Sequence, residues 1–237
     1  LSDFLGKFTD MLINLSPYIK KYKLKKHVII FGDLPFTFLE ILLEEIVECD
    51  KIHNTERIEK KMQKKIKKNK KIKKKKKNKH LIKILIVGPE DPSAEMKNLM
   101  NKINFLYEDN LVMYLKSNIM DQKWYELSSL KKAKQIFSFS LKYLQYNFDD
   151  LIEREKLLSL AATNIKDYSE KIPVSLVLST NIASLLKNTS QFQKVEIISA
   201  RTIDERIMAN SLENQGFNTI ITHLFSNRQR KLPREIT

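Results

Sequence analysis

Glycine is scarce in this chain, with four in 237 residues, and cysteine is scarcer still, with Cys49 alone. A single thiol cannot build a disulfide framework, and it fits a reducing compartment. No apolar run approaches the roughly 18 residues that a membrane-spanning helix needs, and no secretory leader is read at the N-terminus. The four histidines, His27, His53, His80 and His223, are scattered, and none stands at metal-ligand spacing from Cys49. Neither a phosphate-binding loop of the Gly-Lys-Ser type nor a nucleophile elbow occurs. The catalytic constellations that a sequence can advertise are missing, and the chain does not read as an enzyme.

Charge of one sign is also missing from most of the chain. The formal charge is +15, but residues 60–80 hold 14 lysines and no acid, which leaves +1 for everything else. The basic character belongs to one stretch. Like charges at that density repel, and residues 50–80 are expected to be a disordered, Lys-rich insert. A polylysine run can bind nucleic acid or anionic lipid; it can equally be a solvated loop. No nucleic-acid partner is expected.

What is present is an alternation of short apolar runs with helical stripes. Residues 27–32 end in Gly32 and read as a buried strand. Phe36, Leu39, Leu42, Leu43, Ile46 and Val47 then recur at three- and four-residue spacing, a helix over 36–49. The same scheme repeats. Strands are predicted at 82–87, 111–115, 133–140, 174–179 and 195–199. Helices are predicted at 93–103 (capped by Ser93), 121–130 (capped by Asp121), from Asn147 or Asp149 to 168, at 182–187, and from Ile203 to Phe225. Strand–helix alternation of this kind predicts an α/β, Rossmann-like doubly wound parallel sheet with strand order 3-2-1-4-5-6 and a long C-terminal helix. Residues 1–15 carry a further stripe of Phe4, Leu5, Phe8, Met11, Leu12 and Leu15, ended by Pro17.

Such a sheet raises the question of a dinucleotide. The fingerprint needs a second glycine for approach to the pyrophosphate and a third for close helix packing. The turn here is Gly32-Asp33-Leu34-Pro35, with one glycine and an acid where the pyrophosphate would sit. An NAD(H)-binding Rossmann protein of redox or regulatory type is therefore the alternative reading. One acidic cluster lies at the start of the helix after strand four: Asp149, Asp150, Glu153 and Glu155. Carboxylates at that edge could share a hard cation such as Ca²⁺, or they could cap the helix and complement its dipole.

The stretch from Ile197 to Ser226, with Gln215-Gly216 inside a long helix and Leu224-Phe225-Ser226 at its close, resembles the end of the first RCK domain (regulator of K⁺ conductance) of BK-type calcium-activated potassium channels. Lys26 to Gly32 is similar to that domain's first strand, and Ile165-Lys166-Asp167-Tyr168 before Ile172 to the helix leading into strand five. The resemblance covers about 26–227 apart from the lysine stretch. It implies a cytosolic ligand-sensing gating domain of a tetrameric, voltage-gated membrane channel, with other RCK domains and an attached pore domain as partners. Residues 1–26 would be the end of an inner pore helix and its linker, 27–200 the RCK domain, and 201–237 a crossover helix and basic tail. Phe217, Ile221, Leu224 and Phe225 would face another RCK domain, and Asp150 and Glu155 fall near the family's calcium-site acids, although the motif around them differs. The chain opens on Leu1 rather than Met, which fits a piece of a longer protein.

Overall fold

The computed structural model describes residues 16–66, 81–141, 148–180, 182–214 and 219. Six strands form one sheet: β1 (Val28–Asp33), β2 (Ile84–Gly88), β3 (Val112–Lys116), β4 (Gln135–Ser140), β5 (Val174–Leu178) and β6 (Glu196–Ser199). Every pairing is parallel and the order is β3-β2-β1-β4-β5-β6, as the alternation predicts. The strands are nearly continuous buried runs, because a parallel sheet is covered on both faces. The intervening helices are α1 (Phe36–Ile66), α2 (Ala94–Leu106), α3 (Lys123–Leu127), α4 (Phe148–Tyr168), α5 (Ile182–Lys187) and α6 (Ala200–Glu213).

The chain divides into two compact units. One holds the sheet with α2, α3, α4 and α5. On one face of the sheet, Ile29, Phe31, Leu85, Val87, Leu115, Ile136, Leu176 and Leu178 form a core with Trp124 and the inner side of α4. Ala161 and Ala162 are both fully buried there, small enough to let that helix come close to the strands. Glu155 is also fully buried on α4. It accepts hydrogen bonds from the Ser179 amide (2.7 Å), the Ser179 hydroxyl (2.9 Å), the Thr180 amide (3.1 Å) and the Thr180 hydroxyl, and so pins the helix to the end of β5.

The other unit takes α1 from Thr37 on and the chain from Thr202. Here the structure differs from the sequence expectation. The helix does not stop near Cys49; it runs on to Ile66, through more than half of the stretch 50–80 expected to be disordered. No proline or glycine interrupts residues 36–66, lysine and glutamate are good helix formers, and a Lys51–Glu48 pair at 3.5 Å supports the continuing turns. The stripe at 1–15 and the interface residues Phe217, Ile221, Leu224 and Phe225 lie outside the described residues.

A second difference concerns α3. The helix expected over 121–130 is five residues long and gives way at Ser129, which is left-handed (φ 53°), to a 3₁₀ turn at Leu130–Lys132. The helix starts one residue later than expected, so its N-cap is Gln122, with no side-chain cap bond; Asp121, before it, accepts from the Lys123 amide at 2.9 Å in a local turn. The break lets the Ser129 hydroxyl reach the carbonyl of Tyr22 at 2.6 Å, a tertiary bond that outweighs two more residues of helix.

Three outcomes are expected. Gly32 has φ +109°, and a Cβ there would sit 2.1 Å from the Phe139 carbonyl oxygen; Gly32→Ala should cost at least about 2 kcal/mol in denaturant melts. Removing the Glu155 carboxylate orphans four donors, so Glu155→Ala should cost about 3 kcal/mol or more by the same assay. His27, at the base of β1, is fully buried and its ring nitrogens have no partner among the described residues. Burial pushes its pKa down to about 4 from 6.5. The unfolded chain then takes up this proton at a higher pH than the fold does. Stability is full above pH 6.5 and falls as pH drops toward 4, by roughly 2 kcal/mol between pH 6.5 and 5. The loss should be smaller by that amount in His27→Phe.

Candidate functional site

The two halves of the sheet part at β1, whose neighbours β2 and β4 continue in opposite directions. Crevices at such switch points are the usual ligand sites of open parallel sheets. A cavity of about 500 Å³ opens there. Its floor is Gly32 and Asp33 from the end of β1, with Val87 and Pro89 from the end of β2. Asn118 and Ile119, after β3, form one wall, and α4 contributes the other through Asp150, Glu153, Arg154, Leu157 and Leu158. Arg154 donates from Nη1 to Asp33 Oδ2 at 2.7 Å, a charged bond across the mouth between helix and strand.

The acids singled out in the sequence do not converge. Asp150 and Glu153 line the cavity and are exposed, and Asp149 is exposed beside them. Glu155 is drawn to the opposite side, with both carboxylate oxygens engaged by Ser179 and Thr180. Among the described residues no group of three or more His, Cys, Asp or Glu is placed to hold a metal ion.

The cavity residue that sequence reasoning missed is Arg154. It neutralises the Asp33 charge that had argued against an anionic ligand, and Asp150 and Glu153 remain as the other two carboxylates of the lining. A signal was present: Arg154 is the one arginine between Arg57 and Arg201, set inside an acidic cluster of a lysine-rich chain.

The segment before β1 is the second part that the sequence did not show. Residues 16–26 are strapped along the sheet unit. Ser16 donates to Asp91 at 2.6 Å, and Asp91 also holds Lys116 at 3.2 Å. The Tyr18 carbonyl accepts from the Lys116 amide at 3.1 Å, and its ring meets that of Tyr114 edge-on at 5.8 Å. Tyr22 is buried and donates to the Tyr114 carbonyl at 2.7 Å. Tyr114 in turn donates to the Glu90 carbonyl at 2.9 Å; the missing side chain of Gly88 makes room for this, since a Cβ there would fall 2.1 Å from the Tyr114 hydroxyl oxygen. Burial pushes both phenols up to about 12, so both remain donors at neutral pH. The strap thus grips the loop after β2 and the last residues of β3, and the loops at those strand ends supply Pro89, Asn118 and Ile119 to the cavity.

No protein-family model and no curated protein matches the sequence. Among solved structures, the human SLO3 gating ring is similar with a TM-score of 0.54 at 10% identity, over 87% of this chain and 30% of that one. The GsuK channel bound to NAD gives a TM-score of 0.40 at 12% identity, over 83% of this chain and 26% of that one. The chain spans less than a third of the length of either. At these identities the likeness to the SLO3 ring concerns the fold, a six-stranded Rossmann-like sheet of the order described above.

Proposed function

We propose that this chain is a cytosolic ligand-sensing gating domain of a potassium channel, of RCK type and not an enzyme. The observation that carries the reading is a shared support. The loop after β2 and the end of β3 hold residues 16–26, through Asp91 to Ser16, Tyr114 to Tyr22 and Lys116 to Tyr18, and the loops at those two strand ends also wall the cavity with Pro89, Asn118 and Ile119. A ligand that binds the cavity with those loops in one arrangement better than in another shifts the strap with them, and differential affinity is the requirement for any such shift. In a channel the strap would lead to a pore-lining helix, and the domain would assemble with further copies. The fold it shares with the SLO3 gating ring supports the reading. A nicotinamide-dependent oxidoreductase has less in its favour: the turn after β1 has one glycine, where the pyrophosphate fingerprint needs three.

The test uses the 237-residue chain with Ca²⁺, Mg²⁺, Na⁺, NAD(H) and ADP as a panel. At least one should raise the melting temperature by a few degrees and slow amide exchange at Tyr18 to Leu24, which lie outside the cavity. Leu157→Trp, which fills the cavity, should remove both responses. No shift with any member, or the same shifts in Leu157→Trp, would overturn the reading.

A further inference from the structure

We propose that the distal part of α1, residues 57–66, is a basic amphipathic helix that lies against an anionic membrane surface. The continuation of α1 to Ile66 is what makes this a surface rather than a charge run. On a helical backbone Ile58, Met62 and Ile66 stand four residues apart, within roughly 80° of arc. Arg57, Lys60, Lys61, Lys64 and Lys65 fall on the arc adjoining it on one side, while Glu59 and Gln63 fall on the other. An aliphatic line bordered by cations is the pattern of helices that rest in the headgroup region. Lysine stems can lie along the acyl boundary with their ammonium groups raised to the phosphates.

Composition separates lipid from nucleic acid as the partner. Nucleic-acid readers hold bases on aromatic rings and arginine planes. Between Leu39 and Asn104 there is no Phe, Tyr or Trp, and Arg57 is the one arginine. Lysine ammonium groups and aliphatic side chains suit a surface of diffuse phosphates over hydrocarbon. The sequence that follows, 67–80, adds ten lysines and no acid, so Glu59 is the one carboxylate between Arg57 and His80. The inference does not rest on the cavity or its ligand.

The experiment is co-sedimentation of the full chain with vesicles of phosphatidylcholine alone or with about a third phosphatidylserine. Binding should require phosphatidylserine and weaken steeply as salt rises from roughly 0.1 M to 0.5 M. Lys60→Gln/Lys61→Gln/Lys64→Gln/Lys65→Gln should lower the partition coefficient at least about tenfold. Ile58→Ser/Met62→Ser/Ile66→Ser should abolish what binding survives at high salt. Both variants should melt at the wild-type temperature, which separates lost binding from lost folding. Failure of the wild type to sediment with the anionic vesicles, wild-type binding by both variants, or a preference for an oligonucleotide at equal phosphate concentration would overturn the proposal.

Discussion

The central strand β1 is paired in parallel on both sides, and the rest of the sheet unit depends on that arrangement. A strand flanked by β2 and β4 must be apolar on both faces, and Val28 to Phe31 are buried without interruption. The connection after β1 leads to β2 on one side and the connection after its neighbour β4 leads to β5 on the other, so the loops at these carboxyl ends diverge and leave a crevice. At that same end the backbone of Gly32 lies against Phe139 in β4, in a conformation and at a distance that exclude a side chain. The cavity, its acidic and basic lining and the two loops that wall it are consequences of where β1 sits.

Two polar arrangements then hold α4 over the crevice in different ways. Glu155 is buried and saturated, so it fixes the helix to β5 as a structural bond. Arg154, one residue away, is half exposed and reaches β1 through a single charged bond to Asp33. The first is expensive to break because it leaves a fully buried carboxylate and several donors, among them those of buried Thr180, without partners at once. The second is cheap to exchange, since an ion pair at that exposure contributes little in water. Adjacent residues on one helix therefore separate a fixed anchor from a contact that a ligand could replace.

The strap at 16–26 joins this site to the chain that precedes it. Its bonds run to Asp91 in the loop after β2, to Tyr114 and Lys116 at the end of β3, and to Leu127 and Ser129 around the end of α3, with Tyr22 buried. Hydrogen bonds from buried phenols resist rearrangement one at a time, so the strap and its loops are suited to move together.

Much of the sheet was legible in the sequence because its signals are local. Strand length, helical spacing and the order of runs follow from residues near one another, and the right-handed parallel connection leaves few topologies open. Six strands, their order, and the helices at 36, 94, 148 and 182 were recovered in this way. The site was legible only in its address. That Glu155 turns away from Asp149 and Asp150 depends on Ser179 and Thr180, some 25 residues distant, and that Asp33 is neutralised depends on Arg154, 121 residues distant. The end of α3 was decided by a hydroxyl reaching Tyr22, 107 residues away, and the length of α1 by helix propensity persisting where like charge argued against order. Sequence by itself determined which segments are buried and how they alternate, because burial and periodicity are properties of a segment. Only the tertiary structure decided which charges meet, because pairing energy falls with a distance that chain separation does not reveal.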